Sequence, residues 1–192
     1  ADAAISAYYV LGPCEAFSNL ARFDSVRYGY CAEGHKDLGS QYEASRAAGF
    51  GMEAKRRIML GSYLLSSGVY EKYYYPAQQV RTLITQDYQA AYEKCDVILA
   101  PTSPRTAFKF GEIGDPVEMH LSDIFTVSIN IAGNGGMSVP CGLGSDTGLP
   151  VGVQLIAPQF KDENMFRAAA ALEAVYGAAP IAPDFAAGKA GE

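Results

Sequence analysis

Only three runs in this 192-residue sequence read as β-strands, and all of them lie in its second half. The first, Asp96, Val97, Ile98, Leu99, Ala100 and Pro101, is short, apolar, β-branched and closed by a proline, which reads as a buried strand. Residues 137–141 and 151–156 form two more, separated by a Gly, Ser and Asp cluster that suits a turn. Three strands make a poor independent sheet, because an α/β sheet needs both faces covered and its edges managed. The order of helix, strand, helix, strand, strand and helix is α/β with mainly helical mass, and its topology is incomplete.

The helical mass follows from apolar residues at three- and four-residue spacing. Ile5, Tyr8, Tyr9, Leu11, Ala16 and Leu20 predict a helix over 3–20, interrupted or kinked at Gly12-Pro13. Residues 24–40 are rich in Gly and polar side chains without a sustained period and read as a loop. Helices are expected over 41–47 and 52–66, and a long amphipathic one over 69–95. Pro76 should kink that long helix or split it, since proline lacks an amide donor and clashes with the preceding turn. Residues 101–116 read as a connection, 122–132 as a short helix stopped by Gly133, and Asp162 as the N-cap of a helix over 163–176 ended by Gly177. Residues 178–192 read as an Ala/Pro/Gly-rich tail.

Composition narrows the function classes. With 49% hydrophobic and 19% charged residues the chain can fill a core, which excludes a disordered tail as a description of the whole. Fifteen Lys+Arg against 21 Asp+Glu give a net charge of -6. Nonspecific nucleic-acid affinity comes mostly from clustered Lys and Arg on phosphates, so this chain is not expected to grip nucleic acid itself. No stretch approaches the ~20 consecutive apolar residues that cross a bilayer, and residues 1–10 carry no basic leader, so neither a membrane span nor a secretory signal is expected. Cys14, Cys31, Cys95 and Cys141 are far apart, without metal-ligand spacing, as in a reduced cytoplasmic protein with unpaired thiols and no metal.

The usual catalytic spacings are missing: there is no G-x-S-x-G elbow, S-x-x-K, H-E-x-x-H or Walker-type loop. Gly133-Asn134-Gly135-Gly136-Met137-Ser138 precedes a strand where a dinucleotide loop would follow one, and reads as a tight turn. A triad built on His35 or His120 would assemble in space, but no local signature supports one.

Several longer runs carry a resemblance. Tyr8-Tyr9, Glu15-Ala16-Phe17-Ser18-Asn19-Leu20-Ala21-Arg22-Phe23-Asp24 and Val26-Arg27-Tyr28-Gly29-Tyr30 come first. Gly49-Phe50-Gly51, Lys55-Arg56-Arg57-Ile58-Met59-Leu60-Gly61, Tyr73-Tyr74 and Gln79-Val80-Arg81-Thr82-Leu83-Ile84 follow. The series closes with the 96–102 run, Leu121-Ser122-Asp123-Ile124-Phe125-Thr126, Ser138-Val139-Pro140-Cys141-Gly142 and the 149–156 run. In this order, over roughly residues 6–176, they resemble the A subunits of the bacterial aspartyl/glutamyl-tRNA amidotransferases, a branch of the amidase signature enzymes. The resemblance implies that residues 1–177 are the C-terminal portion of a single amidase domain, the C-terminal part of the amidase signature fold, an α/β arrangement with a few strands of a mixed sheet packed against several helices.

The family's chemistry follows as an implication. Its enzymes use a Ser nucleophile, a bridging Ser in a cis peptide and a Lys base, in a Gly/Ser-rich stretch that this chain does not contain. No catalytic residue is therefore expected here, and the chain alone should hydrolyse no amide. Three positions match the family's glutamine-recognition residues: Tyr8, Arg57 and Asp123. Free glutamine is a zwitterion whose carboxylate suits an Arg fork and whose ammonium suits an Asp carboxylate, with Tyr8 adding an aromatic wall and a hydroxyl. Each has a plain alternative: Arg57 as a solvated helix-face charge, Asp123 as a helix N-cap, Tyr8 as one core tyrosine among 13.

The implied partners are the N-terminal half of the amidase domain, the B and C subunits, glutamine, and tRNA only through the complex. ATP and a divalent cation belong to the partner subunit, with no cofactor in this chain. One departure stands out, since Asn134-Gly135-Gly136-Met137 replaces the family's usual apolar residue and proline, and a more flexible turn beside Asp123 is expected. Two other readings stay open: a generic amidase signature hydrolase, for which the Arg57/Asp123 pair has nothing to bind on a neutral amide, and a noncatalytic assembly module.

Overall fold

The computed structural model describes residues 2–114 and 116–177; the expected tail at 178–192 lies outside the described residues. Its elements run α1 (Asp2–Leu20), α2 (Leu38–Gly49), α3 (Met52–Leu64), α4 (Tyr70–Tyr92), β1 (Ile98–Pro101), α5 (Pro116–Leu121), α6 (Val127–Ala132), β2 (Gly135–Leu143), β3 (Pro150–Ala157) and α7 (Asp162–Tyr176). The α/β class is as expected. The chain divides into two compact units, residues 2–83 and the residues from Ile84 onward.

In the first unit α1 packs on α3. Ala4, Ala7, Leu11 and Cys14 are buried at alternating three- and four-residue steps, a helical stripe that passes either side of Pro13. Of the two outcomes expected at Gly12-Pro13, an interruption or a kink, the interruption is absent, since α1 runs through Pro13 as one helix. A proline inside a helix costs about 3 kcal/mol, but a break here would take Leu11 and Cys14 out of register with each other. Burial at roughly 0.8 kcal/mol per methylene outweighs that loss over four side chains. The close approach of the two helices needs Gly61, where an added Cβ would lie 2.0 Å from the Pro13 carbonyl oxygen.

At Pro76, likewise, the helix is not split: the proline sits inside a continuous α4. Side chains bridge the proline along the helix: the Tyr70 and Tyr74 rings stand 5.0 Å apart, and Gln78 Nε2 donates to Tyr74 Oη at 2.7 Å.

The loop between α1 and α2 is held by few groups. Asp24 Oδ1 accepts from the Arg27 and Val26 amides at 2.9 and 3.0 Å, which holds its carboxyl below the usual carboxylate range. Arg46 Nη1 donates to the Leu20 carbonyl at the end of α1 and to the Phe23 carbonyl, at 3.1 and 2.9 Å. Asp37 and Ser40 form a reciprocal capping box that starts α2 three residues before the expected helix.

In the second unit the strands pair in the order β1-β3-β2, and both pairings are antiparallel. The mixed sheet implied by the resemblance is thus represented here by antiparallel neighbours. β1 is an edge strand and not the fully buried one expected: Leu99 is 59% exposed. One sheet face carries Val139, Leu155 and Ala157 against Met165 and Ala169 of α7. Alternation along β3 turns Gly152, Gln154 and Ile156 to the other face. That face meets α6, where Ile129 lies within van der Waals reach of the Gly136 position, the partner of Ile156 in the sheet.

Local signals at helix ends differ from expectation in three places. α5 begins at the last residue of the stretch read as a connection and fills residues for which no element is expected; the helix expected over 122–132 starts only at Val127, after a series of turns. Lys161, not Asp162, is the N-cap of α7, and Asp162 and Glu163 instead put negative charge in its first turn. Gly133 ends α6 with φ 74°, the Asn134 amide donates to Ile129 and the Gly133 amide to Asn130, a Schellman closure. An added Cβ at Gly135 would meet Met165 Cε at 2.9 Å, so this glycine answers a shortage of space, while one at Gly136 would make ordinary contact with Ile129 at 3.4 Å.

Candidate functional site

The second unit contains a cleft of about 1070 Å³, lined by the loop after β1, the β2–β3 turn and a few strand residues, Ser138 on β2 and Pro150, Val151 and Gly152 on β3. Thr102, at the end of β1, and Ser138, on β2, stand on either side of Gly152 on the central strand. Their hydroxyls hydrogen-bond across it at 2.9 Å. A Cβ on Gly152 would lie 2.7 Å from Ser138 Oγ and 3.3 Å from Thr102 Oγ1, so this glycine makes room for the pair. Arg105, also on the cleft wall, pairs with Glu118 at 2.9 Å and lies over the Phe108 ring at 5.6 Å.

Ser122 reaches the same cleft, next in sequence to Asp123. The Asp123 side chain is exposed, and its main chain is the closure point of a turn. Its carbonyl accepts the Thr126 amide at 2.9 Å, the Val127 amide at 3.0 Å and Thr126 Oγ1 at 3.1 Å. The N-cap position of α6 belongs to Thr126, so the plain alternative for the Asp123 carboxylate, helix capping, is not what it does.

Beneath this turn Gln154 is 4% exposed. Its Nε2 donates to the Pro101 carbonyl at 3.1 Å and to the Phe125 carbonyl at 2.7 Å. Two N–H groups meet two carbonyls, which removes the penalty of burying an amide. Thr102, Ser138 and Gln154 all stand inside runs that carry the resemblance, yet none is among the residues expected to form the site. A polar Gln between Val153 and Leu155, two residues after a glycine on the same strand face, is the signal that could have found Gln154.

Tyr8 and Arg57 belong to the first unit, on the paired helices α1 and α3, and Asp123 belongs to the second. Tyr8 is half-buried, its ring at 3.5 Å from the position a Gly12 Cβ would take and edge-on to Tyr9 with centroids 5.3 Å apart. Arg57 is 45% exposed and its Nε pairs with Glu53 Oε1 at 3.1 Å, one turn back on α3; Arg56 pairs with the same carboxylate. Among the described residues no group of three or more His, Cys, Asp or Glu is arranged to hold a metal ion, and no helix is long and apolar enough to cross a membrane.

Comparison with known proteins gives these sites their context. The chain is 54% identical over 181 residues to the glutamyl-tRNA(Gln) amidotransferase A subunit of Anaeromyxobacter dehalogenans, covering 94% of this chain and 37% of that protein. It is 56% identical over 167 residues to the protein of the same name from Persephonella marina, covering 86% and 34%. This chain therefore spans little more than a third of the length of these curated relatives. Among solved structures it matches the glutamyl-tRNA(Gln) amidotransferase A subunit of Thermotoga maritima at 34% identity and a TM-score of 0.52, covering 88% of this chain and 38% of that one. A protein from a vestigial complex related to an s-triazine catabolic enzyme matches at 21% identity and a TM-score of 0.62, covering 95% and 36%, which speaks to the fold alone. The Amidase family pattern itself extends over residues 1–166, through both units and into α7, and so this chain belongs to the Amidase family.

Proposed function

We propose that this chain is the C-terminal portion of the glutaminase subunit of a cytoplasmic tRNA-dependent amidotransferase. The whole subunit hydrolyses glutamine and supplies ammonia for making Gln-tRNA(Gln) and Asn-tRNA(Asn) from Glu-tRNA and Asp-tRNA. The observation that carries this reading is the 54% identity across 181 residues to a glutamyl-tRNA(Gln) amidotransferase A subunit.

In this reading the Ser–cisSer–Lys machinery lies in the rest of the subunit, and this chain contributes recognition of the free amino acid. Arg57 takes the α-carboxylate. A guanidinium has five N–H donors, and the pair with Glu53 engages the one on Nε. Asp123 takes the α-ammonium from a turn whose backbone is already closed, so little ordering remains at binding. Tyr8 supplies an aromatic wall. Together the two charges separate free glutamine from glutamine inside a peptide, where both groups are amides. The B and C subunits complete the complex, the partner subunit uses ATP and a divalent cation to activate the acyl group, and tRNA reaches this chain only through that assembly. The exposed apolar side chains of α3, Met52 at 71% and Met59 at 74%, are consistent with a surface covered by the remainder of the subunit.

Glutaminase assays test this. The full-length subunit in its complex should release ammonia from glutamine, and the 192-residue chain alone should release none. Activity of the chain alone would refute the division of labour. A second reading, a noncatalytic assembly module, is favoured by the engagement of Arg57 with Glu53. It requires that glutamine titrated calorimetrically into the complete subunit give no heat that depends on Arg57 or Asp123.

A further inference from the structure

We infer that Gln154 is a positioning residue for substrate recognition: from beneath the sheet face it sets the orientation of the turn that carries Asp123. The inference rests on the proposed role of Asp123 as the seat of the substrate ammonium. Gln154 is the buried polar side chain that links the central strand β3 to two segments remote in sequence, the end of β1 through the Pro101 carbonyl and the 122–126 turn through the Phe125 carbonyl. The bond to Phe125 is the shorter, at 2.7 Å.

The turn itself closes on Asp123, whose carbonyl collects donors from Thr126 and Val127. Those bonds fix the turn internally, and further bonds join it only to its sequence neighbours, the Asp123 and Ile124 amides donating to His120 and Leu121 of α5 and Asn130 of α6 to the Thr126 carbonyl. Gln154 supplies the external tie, two residues from Asp123, on a strand paired on both sides and therefore rigid. Gly152, its neighbour on the same face, lies under the Thr102–Ser138 hydroxyl pair on the cleft wall. The strand thus presents the cleft wall and the Asp123 turn from one rigid element. Loss of both amide donors would leave the Phe125 carbonyl without that tie and let the turn shift, and a shift of about 1 Å in a recognition group can lower turnover efficiency as much as 100-fold.

The test uses the full-length subunit in its complex, with Gln154→Met, which keeps the length and removes the donors. Glutamine KM should rise about tenfold while kcat stays within about twofold, the signature of lost ground-state binding. KM for a neutral primary amide without an α-ammonium should stay unchanged, which a general loss of structure would not produce. Unchanged glutamine KM, or an equal rise for both substrates, overturns the inference. Asp123→Ala runs alongside: if it leaves glutamine KM unchanged, the role of Asp123 itself fails. If it raises KM and Gln154→Met does not, only the positioning role fails. Should Gln154→Met not fold, Gln154→His, which retains one donor at similar reach, takes its place with a smaller rise expected; if neither folds, Gln154 is a core support and the positioning role is overturned.

Discussion

Replacing Gly61 by alanine should destabilise the first unit although alanine is the better helix former. In α3 an added methyl would lie 2.0 Å from the Pro13 carbonyl oxygen, 2.6 Å from its carbon and 2.8 Å from Phe17 Cβ. Non-bonded carbons are comfortable at about 3.5–4.0 Å, so α1 and α3 must separate by more than about 1 Å, because the obstacle is backbone that cannot rotate away. A gap of ~0.5–1 Å already forfeits a quarter to a half of the dispersion attraction across an interface. Overpacking of this kind typically costs about 1–3 kcal/mol, and a backbone obstacle belongs at or beyond the upper end. Helix propensity returns about 1 kcal/mol. The net expectation is a loss of about 2 kcal/mol, which is roughly a 30-fold faster opening of amides in α1 and α3 by hydrogen exchange. Gly12→Ala is the internal control: it lies in α1, its methyl would meet only the Tyr8 ring at 3.5 Å, and it should stabilise by about 0.5–1 kcal/mol. Equal protection in Gly61→Ala and the native chain, or the same sign for both substitutions, would refute this account of how α1 and α3 meet.

Three further expectations concern local chemistry. Burial of the Tyr92 phenol, with Tyr88 and Cys95 nearby, pushes its pKa up to about 12, and its hydroxyl has no hydrogen-bond partner. The folded state then holds this proton more tightly than the unfolded one, so stability should fall as pH rises from ~10 toward 12. Tyr92→Phe should be neutral or stabilising and abolish that decline, whereas Tyr88→Phe, which loses a 2.8 Å bond to Ser128, should cost about 1 kcal/mol in denaturant titrations. Gly152→Ala should break the Thr102–Ser138 hydroxyl pair and cost about 1 kcal/mol, and much less in a Ser138→Ala background; equal costs in both would contradict the geometry. Backbone amides of Arg27 and Val26 lower the Asp24 pKa, and the Ser40 amide and hydroxyl lower that of Asp37. Their contributions are complete above the unfolded value of about 3.9 and are lost as pH falls through the folded values. Protection of the Val26, Arg27 and Ser40 amides relative to their intrinsic exchange rates should fall as pH drops through that range and hold above it.

Much of the fold is legible in the sequence because it is written in local periods. The runs at 137–141 and 151–156 are strands, and Gly133 and Gly177 end helices as their positions imply. Proline is where the local rule is ambiguous: at Pro13 and Pro76 it argues for a break or a kink, and neither helix is broken, an apolar stripe running on both sides of Pro13. Strand order is not a local property, so nothing in the 96–101 run tells that it stands at an edge with Leu99 exposed. That Gly135 is packed closely is not legible locally, since the crowding atom belongs to Met165, about 30 residues farther on. At the candidate site, Tyr8, Arg57 and Asp123 emerge only through resemblance, because ordinary charged and aromatic residues carry no local mark of a role. Gln154 is hidden for a related reason: its partners are main-chain carbonyls 53 and 29 residues away.

The central claim is that this chain reads the two charges of free glutamine, and a cycle of substrate and protein deletions tests it most directly. In the full-length subunit, kcat/KM is measured for glutamine, for its analogue lacking the α-carboxylate and for its analogue lacking the α-ammonium, in native, Arg57→Ala and Asp123→Ala proteins. The account predicts that removing the carboxylate costs nothing further once Arg57 is gone, and that removing the ammonium costs nothing further once Asp123 is gone. Full, additive losses in both cases would contradict it.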